Sequence, residues 1–215
     1  MWNLLKNKIW QWRAVLIAAP SVTAIVLLLR LSGLLQMLEL AAFDQLFIRR
    51  LPEKPDERIV IVEVDEESIT ELGHPISDRK LAQILKNISQ HQPRAVGLDI
   101  YRDIPVGEGY DSLAKVFESM PNLVGVQKLI ESADSSAVNP PPVLKKLDRV
   151  GANDLPIDGD GKIRRSFFYL SDKKGDSLFS FSFKLAYLYL EDMNIKVDQL
   201  EDDSIKVGKV IFKPF

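Results

Sequence analysis

The 215-residue sequence contains no cysteine, which excludes a disulfide framework, a Cys-ligated zinc site and thiol catalysis, although it does not fix the compartment. Histidine is nearly absent too. His74 and His91 are the only two, too few for a His-rich metal centre. Charge of one sign is also lacking: 28 basic residues face 30 acidic ones, for a net charge of −2. No basic field therefore draws the chain to nucleic acid. Tryptophan occurs three times, at Trp2, Trp10 and Trp12, all at the N-terminal end. With 46% hydrophobic and 27% charged residues, what remains is one ordinary globular domain plus a short extra element.

That extra element is an apolar run. Residues 14–29 carry no charge, and Arg13 and Arg30 bracket them. An uncharged run of 16 residues is shorter than the roughly 20 that span a bilayer. Arg30 can snorkel, however, and the apolar character then continues to about Leu38. The three tryptophans sit where an interfacial aromatic belt would lie, and Lys6, Lys8 and Arg13 precede the run, which predicts a cytoplasmic N-terminus. We read residues 1–13 as a cytoplasmic N-terminus and 14–35 as a transmembrane helix. A cleaved signal peptide has the same charge pattern, but the run is long and Leu40-Ala41-Ala42 is a poor cleavage site. Residues 36–57 read as a juxtamembrane helix and linker. Leu35, Leu38, Ala42 and Leu46 recur at helical spacing, and Pro52 and Pro55 end the pattern.

Residues 58–215 read as an α/β domain with a mixed, partly parallel sheet. The stretch 58–64, with Ile59, Val60, Ile61, Val62 and Val64, predicts a first buried strand ending in Asp65-Glu66-Glu67. A short helix follows, with Asp65 as its cap and Ser68 three residues on. Gly73-His74-Pro75 predicts a turn. Ser77 or Asp78 caps a helix over 79–90, whose Leu81, Ile84, Leu85 and Ile88 form one face. Residues 94–100 predict a second strand, parallel to the first through a right-handed crossover. Next come a helix near 111–119, a third strand over 122–128, a loop, and a short helix over 142–147. Strands then flank the turn Asp158-Gly159-Asp160-Gly161. A helix over 178–190, with Phe179, Phe183 and Tyr187 in its core stripe, and a hairpin about Gly208 end the chain. The sequence stops just past that apolar strand, so a longer protein is expected.

Two strands ending in acid, each with an arginine downstream, make Asp65, Glu66, Ser68, Arg79, Asp99 and Arg102 the candidate ligand-binding residues. The alternative for Asp65 and Asp99 is structural: capping helices or pairing with Arg79 and Arg102. A third reading makes these two aspartates the metal site of a membrane-anchored hydrolase, but no Gly-rich phosphate loop follows either strand. Asp154, Asp158 and Asp160 are spaced somewhat like a calcium loop without its full acidic run or its distal Glu. A loop fixed by Asp side chains is the stronger reading. No metal site and no cofactor are expected. Arg164 and Arg165 alternate along a strand, so one turns toward the acids and the other toward solvent.

Several separated motifs together resemble the CHASE2 domain family of extracytoplasmic sensory modules in bacterial, notably cyanobacterial, receptors. They are Asp44 with Arg49; Val64-Asp65-Glu66-Glu67-Ser68-Ile69; Gly73 and Pro75 with Ser77 and Arg79; Gly97-Leu98-Asp99-Ile100; and Asn153, Asp154, Pro156, Asp158, Asp160, Gly161, Ile163, Arg164 and Arg165. His74 stands where the family's pattern has an aromatic residue. The resemblance implies a membrane partner, an extracytoplasmic ligand, a homodimeric receptor, and an output domain (a cyclase, histidine kinase or Ser/Thr kinase) outside these residues. A purely structural ectodomain is the remaining alternative.

Overall fold

The computed structural model describes residues 2–131, 136–171, 177–191, 193–200 and 204–213, with the backbone alone for 2–11. The chain forms two compact units, Met1–Ile61 and Val62–Phe215.

In the first unit, α1 spans Trp2–Leu31 and α2 spans Gln36–Ile48. Within α1, Trp12–Leu31 is long and apolar enough to cross a membrane. Pro20 lies inside this helix. Nearby, the Ser21 hydroxyl donates to the Ile17 carbonyl at 2.8 Å, so its polar group is satisfied within the helix, as a lipid environment requires. The expected helix over 14–35 stops four residues early. Residues 32–35 form a turn in which Gly33 has a φ of +79°, and Arg30 reaches across that turn to Glu39 at 3.0 Å. In α2 no residue is buried, and Phe43 and Phe47 stack with ring centroids 6.3 Å apart. Residues 49–61 then run on without a helix or strand.

The second unit is α/β. Its elements are α3 (Glu66–Leu72), α4 (Asp78–Gln90), β1 (Val96–Leu98), α5 (Tyr110–Ser119), β2 (Leu123–Gln127), α6 (Pro142–Lys146), β3 (Val150–Ala152), β4 (Tyr169–Ser171), β5 (Ser177–Phe179), α7 (Phe181–Glu191), β6 (Val197–Gln199), β7 (Ile205–Val207) and β8 (Val210–Phe212). Strands β1, β2 and β3 form a parallel sheet in that order, while β4–β5 and β6–β7–β8 are antiparallel. The β4–β5 hairpin meets β3 through a single bridge between Ala152 and Ser180.

Strand alternation puts the two faces of the parallel sheet to different uses. Val96, Leu98, Leu123 and Val150 share a core with Leu81 and Leu85 of α4 and with Leu113, Val116 and Phe117 of α5. The alternate positions face α7. A Cβ on Gly97 would come within 2.6 Å of Phe181 Cζ, and one on Gly151 within 2.5 Å of Phe181 Cα. These two glycines let the start of α7 lie directly on the sheet. The antiparallel strands attach through aromatic rings. Phe168 meets Phe183 at 5.0 Å and Phe212 at 5.1 Å, edge to face.

Three sequence expectations need correction. First, residues 58–64 form no strand and join no described sheet. Ile59, Val60, Ile61 and Val62 are 65–83% exposed, so the expected strand–helix–strand unit from residue 58 is not formed. Their β-branched side chains suit a pleated surface, but propensity alone makes no ladder. Second, α7 starts at Phe181 rather than at 178, because Ser177–Phe179 is a hairpin strand and the Ser180 hydroxyl accepts from the Phe183 N–H at 3.2 Å. Phe179 therefore leaves the expected helical stripe, although its ring still packs on Phe183. Third, β6 adds a strand to the terminal hairpin.

Candidate functional site

The C-terminal edge of the parallel sheet is where open α/β sheets bind ligands. Here the chain leaving each strand contributes polar groups. Asp99 follows β1, and Asn153 and Asp154 follow β3. The Asn153 amide donates to Asp99 Oδ1 at 3.1 Å, and the Tyr101 hydroxyl donates to Asn153 Oδ1 at 2.9 Å. Asp154 is buried, and its carboxylate accepts the backbone N–H groups of Leu129 and Ile130 at 2.8 and 2.7 Å. Asp154 thus pins the chain leaving β2, while Asn153 joins the ends of β1 and β3. The Asp99–Asn153–Tyr101 row remains open to solvent.

Behind this row lies a buried ion pair. Asp78 is fully buried and Arg102 is 6% exposed. Arg102 Nε stands 3.2 Å from Asp78 Oδ1, an ion pair too skewed to count as a hydrogen bond. The other groups are well served. Asp78 Oδ2 accepts the Val106 N–H at 3.0 Å, and the Arg102 guanidinium donates to the carbonyls of Tyr101 and Ile76. Burial lowers the Arg102 pKa, and the Asp78 charge opposes that shift. The cavity beside the pair, lined by Tyr110, Phe117 and Pro141 among others, measures about 10 Å³, room for about one water molecule and not for a metabolite.

The six candidate ligand residues do not converge on one point. Asp65 caps α3, accepting the Ser68 N–H at 2.8 Å, and hydrogen bonding from the Ser68 side chain, with this backbone bond second, holds its carboxyl below the usual range. Glu66 lies in the first turn of α3. Arg79 pairs with Glu108 at 3.0 Å on the surface. Asp99 binds Asn153, and Arg102 binds Asp78. The expected pairings of Asp65 and Asp99 with Arg79 and Arg102 are therefore replaced by these. The hydrolase reading required Asp65 and Asp99 on adjacent strand ends, and Asp65 follows no strand. Asp78 is the residue that sequence reasoning missed. It looked like a helix cap, but Ser77 performs that task, which frees Asp78 to turn inward.

The remaining motif residues are placed as follows. Asp44 lies within α2 and Arg49 is its C-cap. Gly73 ends α3 with a φ of +78°, and the His74–Pro75 bond is cis. Asp158, Asp160, Arg164 and Arg165 lock a hairpin. Arg164 donates to Asp158 at 2.7 Å and to Asp160 at 2.6 Å, and Arg165 also pairs with Asp158. The Gly161 N–H closes the turn onto the Asp158 carbonyl at 2.9 Å with a φ of +79°. The Arg164 side chain is 7% exposed and that of Arg165 51%, so they differ in burial as expected, but both reach the acids, because Asp158 offers one carboxylate oxygen to each. These acids are occupied by arginines, whereas a calcium loop would leave them free for an ion.

Residues 21–213 match the family model of the CHASE2 domain. The chain belongs to the CHASE2 family. CHASE2 domains are extracytoplasmic sensory domains of receptors, and the match covers nearly the whole chain, starting inside α1. Nothing matches among curated proteins or among solved structures. Membership gives the CHASE2 domain a sensory class.

The Asp158–Arg165 lock makes acid sensitivity predictable. Hydrogen bonds from Arg164 lower the Asp160 pKa from 3.8 to about 2, and those from Arg164 and Arg165 lower that of Asp158. A carboxylate whose pKa falls on folding adds stability above its unfolded value, and that stability is lost as pH drops through the folded value. The CHASE2 domain is therefore expected to lose helicity between about pH 4 and pH 2. An Arg164→Met variant should begin to lose it at higher pH when followed by far-UV circular dichroism. Superimposable acid transitions would contradict this account.

Proposed function

We propose that this chain is the signal-receiving input module of a membrane-bound receptor, with α1 as its anchor. The observation that supports this is an apolar helix of spanning length, Trp12–Leu31, within which the CHASE2 match begins. In this reading residues 1–13 are cytoplasmic and the domain lies on the extracytoplasmic side of a bacterial inner membrane. A cyclase or protein kinase elsewhere in a dimeric receptor takes the output. The stimulus is a small polar ligand met by Asp99, Asn153 and Tyr101 at the sheet edge, and it acts by binding one conformation better than another.

Two measurements test this. The orientation is readable because the chain has no cysteine. Asn3→Cys should be shielded from a membrane-impermeant thiol reagent in intact cells, and Leu51→Cys should be labelled. The reverse pattern would reject the orientation. For reception, the full chain in detergent is screened by thermal shift against small metabolites and inorganic ions. A hit should raise Tm in proportion to the logarithm of its concentration, and Asp99→Asn should remove that response without lowering the unliganded Tm. A screen without response, or a response unchanged in Asp99→Asn, would reject the sheet edge as the receiving site.

A further inference from the structure

Two features of this molecule are each incomplete alone. The first is the free edge of β1. It pairs with β2 on one side and with no other described strand, although Val96 and Leu98 are buried. Val96 donates its N–H to Asn122 at 2.9 Å, so by strand alternation Gly97 turns its N–H and C=O toward the free edge. The second feature is the segment 59–64. It carries five branched apolar residues and one charge, Glu63. Val60 and Ile61 are each 83% exposed and Val62 is 65% exposed. A segment of this composition, left open, is an aggregation hazard, and so is an uncovered sheet edge.

We infer that residues 59–64 are a detachable fourth strand, which pairs in parallel with the free edge of β1 in the same chain. The intervening residues already have the form of a crossover. Parallel neighbours need a connection of a dozen or more residues, usually through a helix, and α4 packs Leu81, Ala82 and Leu85 into the core that holds Val96 and Leu98. The direction also fits. The start of α4 is tied to the loop leaving β1, through Asp78 N–H to Val106 O and Arg79 N–H to Glu108 O, both at 2.8 Å. The end of α3 is tied to α4 by Lys80 Nζ donating to the Leu72 carbonyl at 2.6 Å. A chain entering α3 from residue 64 therefore arrives at the C-terminal side of the sheet, where a parallel strand must finish. The segment is buried on both faces once docked, which suits its nearly unbroken apolar run. Its own chain outcompetes a second copy because the tether holds it at high effective concentration.

Docking changes the reach of the chain. Six residues of extended strand span about 20 Å, so docking removes that length from the connection between α2 and the domain and undocking returns it. The inference rests on the sheet alone and is tested apart from ligand reception.

Hydrogen exchange on the full chain in detergent reads it directly. Slow exchange is expected for the amides of 59–64 and of Gly97. Val62→Pro should speed the Gly97 amide at least tenfold while leaving Val96, bonded to the other neighbour, unchanged. Val62→Cys should react with a maleimide at least tenfold more slowly than Leu51→Cys, a reading that needs no proline. Open-chain exchange across 59–64, or equal maleimide rates, would overturn the inference. So would protection that vanishes on dilution to monomer, since it would assign the edge to a second copy.

Discussion

Replacing Arg102 by Met is expected to destabilise the domain by about 3–5 kcal/mol, the range for stranding one member of a buried ion pair. With single-domain stabilities of about 5–15 kcal/mol, that is a third or more of the total. The cost arises because Asp78 is fully buried and loses its ion-pair partner, while the Ile76 and Tyr101 carbonyls lose their guanidinium donor. Adding Asp78→Asn should restore much of the loss. The Asn side chain still offers an oxygen to the Val106 N–H and no longer carries a charge. A double-mutant cycle by urea denaturation therefore predicts clear non-additivity, and strictly additive effects would refute a coupled pair. Far-UV circular dichroism is the probe of choice, because all three tryptophans lie in the first twelve residues and are blind to the domain.

Gly151→Val is expected to cost more than 4 kcal/mol, in the range reserved for steric conflicts that cannot relax. A Cβ at Gly151 would sit 2.5 Å from Phe181 Cα and 2.8 Å from Phe181 N. Both are backbone atoms at the start of α7, so relief requires lifting the helix off the sheet and breaking the Ala152–Ser180 bridge. Gly97→Ala is the graded comparison. Its new methyl meets the tips of the Phe181 and Leu185 side chains, which can rotate, and about 1–3 kcal/mol is expected. Gly159→Ala, with nothing within 4 Å, should leave the midpoint of unfolding unchanged. If Gly151→Val unfolded at the same urea concentration as Gly159→Ala, the close approach of α7 to the sheet would be wrong.

The elements legible in the sequence were those whose signals are local. Leu81 and Leu85 at helical spacing marked α4, and Asp65 three residues before Ser68 marked the cap of α3. Asp158 to Gly161 marked the hairpin turn, whose Gly161 has the positive φ such a turn needs. The parallel strand β2 was visible as an apolar run. What stayed hidden was set by partners distant in sequence. Asp78 and Arg102 are separated by the whole of α4 and β1, and nothing near Asp78 announces that it turns inward. Strand β6, Val-Asp-Gln, has no apolar run and exists only because β7 pairs with it. The segment 58–64 shows the converse, a strong strand signal with no ladder in the structure. For the site, the sequence pointed to the sheet edge through Asp99, while Asn153 was read only as a residue of the motif that runs to Arg165. It did not reveal that Asn153 joins Asp99 to Tyr101, because that depends on how β1 and β3 flank β2.

That flanking arrangement has a kinetic consequence. Val96 pairs with Leu123, and Gly125 with Val150, each partner about 25 residues away along the chain. Central strand β2, with Leu123, Val124 and Val126 at 0–1% exposure, has among the described residues only β1 and β3 as strand neighbours. Loop closure must precede every contact that rewards it, so such sheets form slowly. Synthesis from the N-terminus delivers α1 first and β3 only after some 150 residues, so α1 is complete long before the sheet can close. The nascent domain therefore spends its vulnerable interval unfolded, with the apolar residues of β1 and β2 uncovered until residue 152 arrives.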